Sequence, residues 1–154
     1  MSDSRWIEVD QDIASAIRHF SAATRLNAES GVGDDTWDGY KTRMSMMHAM
    51  QAGHTSLESA LLRILDMRGE QRPSGDSWHA DLIRRSTMAT AGRPAILPPD
   101  LAKAADRTRR FRHVAVRTYD QFDPAEAGSA VAAAGILAAG LPSAIKQFRD
   151  ATGD

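Results

Sequence analysis

The 154-residue chain is long enough for one ordinary domain that buries roughly two thirds of its unfolded surface. Nineteen Lys and Arg against twenty Asp and Glu give a formal net charge of -1, so any nucleic-acid role has to come from a local basic patch. With no cysteine, disulfides, cysteine–zinc sites, thiolate nucleophiles and iron–sulfur clusters are excluded.

Twenty-six alanines against five valines and two tyrosines favour helix over strand, and the expected fold is all-α. The first eight residues lack a basic region leading into an apolar run, and no stretch reaches the ~18 consecutive apolar residues of a membrane span. The expectation is a cytoplasmic protein without membrane contact.

Apolar residues at three- and four-residue steps (Trp6, Val9, Ile13, Ala16, Ile17, Phe20, Ala23, Leu26) predict a first helix over 6–28. Gly31 and Gly33 break it, and Asp34 or Asp35 could cap the next. A second helix follows over 36–67. Its stripe is Trp37, Tyr40, Met44, Met47, Met50, Leu57, Leu61, Ile64 and Leu65, with Met46 outside it and Gly53 a close-packing point.

A turn-rich loop leads, through a cap at Ser74, Asp76 or Ser77, to a short helix over 78–87. Residues 91–99 are extended by their prolines. Asp100 is expected to cap a fourth helix reaching about residue 122. Asp123 and Pro124 read as cap and first turn of a last helix ending near 149, weakened or kinked at Gly135, Gly140 and Pro142. The result is a bundle of four long helices and one short one in a single domain over 1–154.

The chemistry concentrates in the fourth helix. Arg107, Arg109, Arg110, Arg112 and Arg117 share a stretch with His113, with no acid between Asp106 and Asp120. Arginine offers planar bidentate donors to phosphate, and an adjacent imidazole exchanges protons near neutral pH. Together they are a minimal kit for metal-free RNA cleavage; a solvated basic helix face is the plainer alternative. Arg112 and Arg117 lie roughly 140° apart on an ideal helix, so they converge only through distortion, reach or a second subunit.

The segment Phe111-Arg112-His113-Val114-Ala115-Val116-Arg117-Thr118-Tyr119-Asp120 resembles the signature of HepT-like ribonuclease toxins of the HEPN superfamily. Their pattern is Arg, then Asn, Asp or His, three residues, His, one residue, Tyr. The resemblance takes in Tyr40, His48, Leu57-Glu58, residues 73–82 with Trp78-His79, Arg93-Pro94 and Phe122-Asp123, and is strongest over 39–127. It implies a helical bundle that forms a homodimer, with both motif helices lining one positively charged cleft. It also implies that Arg112 contacts the scissile phosphate and His113 fills the polar second position; the basic stretch itself makes Arg107, Arg109 and Arg110 candidate RNA-binding cations. Tyr119 falls on the tyrosine that a partner nucleotidyltransferase antitoxin can modify with AMP. The implied substrate is RNA, with tRNA one candidate, and no cofactor or metal is called for.

Arg117 stands where the family has its catalytic histidine. Arginine stays protonated and cannot serve as a general base. Three readings remain open. His113 takes over the proton chemistry, since Arg107 and His113 satisfy the looser superfamily spacing; or the chain binds RNA or a partner protein through the 107–117 basic face without cutting; or Arg117 is a substitution that disables an active toxin. A purely structural dimerisation domain is a further, weaker alternative.

Elsewhere, His54 and Glu58 have the spacing to pair on one helix face, and no HExxH-type cluster adds metal ligands. Trp78 is expected in the core, with His79 satisfying loop carbonyls. Alternating Ala and Gly over 130–140 suits either a dimer seam or tight packing within the chain.

Overall fold

The structure, a computed structural model, describes residues 3–117 and 123–154, with the side chains of residues 114–117 and 124 outside that description. Among the described residues there are five helices and no strand: α1 (Arg5–Asn27), α2 (Trp37–Met67), α3 (Trp78–Ser86), α4 (Pro99–Arg117) and α5 (Pro124–Thr152). The all-α reading is correct. α1 and α2 form an antiparallel pair, with Asp12 beside Arg63, Ser15 beside Ser56 and Glu29 beside Thr42; α5 packs on α1, α4 lies against α5 and touches α2, and short α3 contacts both α2 and α4.

Most of the α1 stripe is buried: Trp6, Val9, Ile13, Ala16, Phe20 and Ala23 face inward, with Ile17 and Leu26 half-buried at its edge. Trp6 meets Phe148 of α5 with ring centroids 6.4 Å apart. Gly53 lets α2 approach α1 closely, because a Cβ there would sit 2.7 Å from the Phe20 ring. On the rim of the same pair Arg63 reaches Asp12 at 2.8 Å and Glu8 at 3.0 Å.

Three features of α2 differ from expectation. Its cap is Thr36, extended at φ -131 and ψ 163, whose hydroxyl accepts from Gly39 N–H. Asp34 instead offers its carbonyl to Arg43. Trp37 and Tyr40 are 70% and 47% exposed, stacked on each other at 5.5 Å. They overhang because Thr42 already faces Glu29, beyond the last turn of α1. Met46 is fully buried while Met44 is only half covered.

α3 begins after Ser77, which makes no side-chain cap bond. The loop from α3 into α4 is tied by Arg93, whose side chain is 1% exposed. It donates twice to Glu70 and also to the carbonyls of Met88, Pro94 and Arg85. The Ser86 carbonyl accepts from both Ile96 and Leu97. α4 then starts at Pro99, two residues earlier than a cap at Asp100 requires. Proline suits the first helical position, and Pro98 supplies the first accepting carbonyl, to Ala102. Residues 118–122, where the sequence carries this helix further, lie outside the described residues.

Asp123 caps α5 by accepting from Ala125 N–H at 2.9 Å. The helix continues through Gly135, Gly140 and Pro142 to Thr152, past residue 149. Gly153, at φ 79, closes it in the left-handed conformation that glycine adopts freely. Gly140 sits where a Cβ would be 2.6 Å from Leu101, so part of the small-residue run serves α4–α5 packing. By length and composition α5 is the one helix among the described residues that could cross a membrane, yet 44% of that window is buried against the other helices.

Candidate active site

The site is built on a carboxylate that the helix pattern places inside. Glu58 follows Leu57 on the core side of α2 and its side chain is 5% exposed. A charge that deep needs partners, and three side chains supply them. From α4, Arg112 Nη1 donates to Glu58 Oε1 at 3.0 Å. From α3, His79 Nδ1 meets Glu58 Oε2 at 2.5 Å. From the preceding turn of α2, His54 Nε2 lies 3.4 Å from the same oxygen.

His54 is a strut between helices. It is fully buried, and its Nδ1 is 2.8 Å from Thr108 Oγ1 on α4. Thr108 uses its own hydroxyl proton on the Ala105 carbonyl at 3.0 Å, so it accepts from His54. The Nε2 of His54 makes no hydrogen bond among the described residues. Burial by itself raises the Glu58 carboxyl; the contacts with His54 and His79 outweigh it and hold the group below its ordinary value.

Beside this network opens a cleft of about 460 Å³, lined by Asp76, Ser77, His79, Ala80, Arg109, Arg112 and His113. Three of the sequence-predicted residues therefore meet in one place. Arg112 also borders a second groove with His48, Gln51 and Thr55, so its guanidinium sits between two openings. His79 is about one third exposed and its ring stacks on Trp78 at 3.7 Å. Trp78, expected in the core, is half-buried against its edge, whereas His79 binds a carboxylate and not loop carbonyls.

The other predicted cations are placed differently. Arg109 pairs with Asp106 at 2.8 Å and Arg110 with the same acid at 3.3 Å. Arg107 turns to α5, donating to Ser129 Oγ and the Glu126 carbonyl. These three arginines and His113 border a further shallow opening. The side chain of Arg117 and all of Tyr119 lie outside the described residues. Among the described residues no cluster of His, Asp and Glu could hold a metal ion.

Charge type and motif order point to Arg112 and His113. Glu58 and His79 are harder to see, because they stand 54 and 33 positions from Arg112 along the chain. The readable signal was a glutamate on an apolar stripe, four residues after a histidine.

An all-α bundle whose fourth helix presents arginines and a histidine to a cleft is the class these features define. The family model described as HepT-like protein matches residues 45–152, and the chain belongs to that family. No curated protein and no solved structure matches it.

Proposed function

We propose that this HepT-like chain is the toxin of a toxin–antitoxin pair and acts as a metal-independent endoribonuclease. Its substrate is RNA, with tRNA the first class to test, and it works as a homodimer in the cytoplasm. The observation that carries the reading is the cleft shared by Arg109, Arg112, His79 and His113. Arg112 keeps donors beyond the one on Glu58 and can clamp a phosphate whose charge grows in the transition state. His113, exposed at the cleft, can exchange a proton with the reacting oxygens. Arg107, Arg109, Arg110 and Arg117 supply further positive charge along α4 for the RNA backbone.

The antitoxin in this reading is a nucleotidyltransferase that transfers AMP to Tyr119. The adduct places a bulky anion close to the cationic helix, where it repels substrate phosphate. Arg117, in the place of the motif histidine, favours one second reading: a helical module that binds RNA or a partner protein through the 107–117 face without cutting.

The test is to incubate the purified chain, and its Arg117→His variant, with total tRNA in the presence of a chelator. Cleavage by either supports the ribonuclease reading. Folded protein that binds tRNA while neither version cuts it supports the second.

A further inference from the structure

We propose that His79 is the general base of this site, supplied by α3 in place of the motif histidine that α4 lacks, and that Glu58 is its positioning residue. The proposal rests on the ribonuclease reading. Its ground is the arrangement of one buried carboxylate whose two oxygens hold the two groups that RNA cleavage needs. Glu58 Oε1 takes Arg112 and Oε2 takes His79, so guanidinium and imidazole are fixed side by side from different helices.

A carboxylate on Nδ1 sets the tautomer. The Nδ1–H donates to Glu58 and the lone pair stays on Nε2, the nitrogen left for whatever enters the cleft that His79 lines. Stacking on Trp78 restrains the ring. The other histidine on Glu58 cannot take this role, because His54 is wholly buried and spans Glu58 and Thr108. A carboxylate that only neutralised Arg112 would need no histidine from a third helix.

In the reaction the RNA 2′-oxygen attacks phosphorus and its proton passes to His79 Nε2. The bond from phosphorus to the 5′-oxygen breaks, and that oxygen takes a proton from His113 in its imidazolium form. The products are a 2′,3′-cyclic phosphate and a 5′-hydroxyl, after which the two histidines exchange protons with water and reset. The groups facing His79 are Glu58 with His54 behind it from α2, Arg109, Arg112 and His113 from α4, and Asp76 and Ser77 from the turn before α3.

The experiment is single-turnover tRNA cleavage by the full chain in chelator, with tRNA binding and thermal unfolding measured on the same samples. His79→Ala is expected to cut about 100-fold or more slowly while binding tRNA within about twofold of the parent chain, and added imidazole is expected to restore part of the rate as its neutral form increases. His79→Asn, which keeps a donor to Glu58 but cannot take a proton, is expected to be equally slow and as stable as the parent. Parent-like cleavage by either variant overturns the assignment and leaves the ribonuclease reading standing. So does a loss that imidazole never restores and that follows a lowered melting temperature. A silent parent chain beside an active Arg117→His variant overturns His79 alone; silence from both overturns the His79 assignment together with the ribonuclease reading.

Discussion

Arg112 Nη1 and Glu58 Oε1 lie 3.0 Å apart although 54 positions separate them in the chain, and this pair joins the motif helix to the core. The Arg112 side chain is 30% exposed and that of Glu58 5%, so one end of the pair is anchored and the other stays available. A basic helix face in solvent would scatter its arginines among many rotamers. Here one arginine is held at the mouth of a cleft before any substrate arrives.

Glu58 makes the fold acid-sensitive. Its folded carboxyl is harder to protonate than the unfolded one. It therefore adds stability at pH values above its ordinary value near 4.5, and that contribution drains away as pH falls through the lowered folded value. Glu58→Gln is expected to be about 1–3 kcal/mol less stable at pH 6, with a gap that narrows steadily below pH 4.5. Urea unfolding at both pH values checks this; a gap of the same size at pH 3 and pH 6 contradicts it.

Close helix approach at Gly53 should be unforgiving. An added methyl meets the ring of fully buried Phe20 at 2.7 Å, so Gly53→Ala is expected to cost about 1–3 kcal/mol despite the better helix propensity of alanine. Gly140→Ala meets only the end of the Leu101 side chain, which can turn, and is expected to cost less. Thermal unfolding of the two variants gives the order; equal stability would refute the packing argument.

Arg93 closes the loop between α3 and α4, and lysine cannot reproduce its fork. Arg93→Lys keeps the charge but loses the paired bonds to Glu70 and most of the carbonyl contacts, for an expected loss of about 1–3 kcal/mol. Limited proteolysis should then cut within residues 87–98 first. Parent-like stability and cleavage pattern would show that the loop is held by other means.

The proposed regulation through Tyr119 has a separate test. Incubated with a partner nucleotidyltransferase and ATP, the parent chain is expected to gain AMP and lose activity, and Tyr119→Phe to keep whatever activity it has. A Phe variant silenced by AMP transfer would place the modification elsewhere.

Much of the fold was legible because burial in a helical bundle follows local periodicity. The α1 stripe, the Asp123 cap and the closeness at Gly53 all came from spacing and residue type. The exposure of Trp37 and Tyr40 did not, since it depends on where α1 stops beside α2 and periodicity carries no information on that. The same limit governs the site. Arg112 and His113 announce themselves by charge and motif order, while Glu58 and His79 acquire their part only when α2, α3 and α4 meet. The pairing of Asp106 with Arg109 and Arg110 was within reach, three and four residues apart on one helix, and it tempers the apparent basicity of that face.

The most direct measurement is tRNA cleavage by Arg112→Ala beside the parent chain, in chelator, with folding checked by circular dichroism. The account predicts that the folded variant forms no detectable product and binds tRNA more weakly, with a shallower salt dependence. Cleavage by Arg112→Ala at the parent rate would contradict the central claim that this cleft is where the chain acts on RNA.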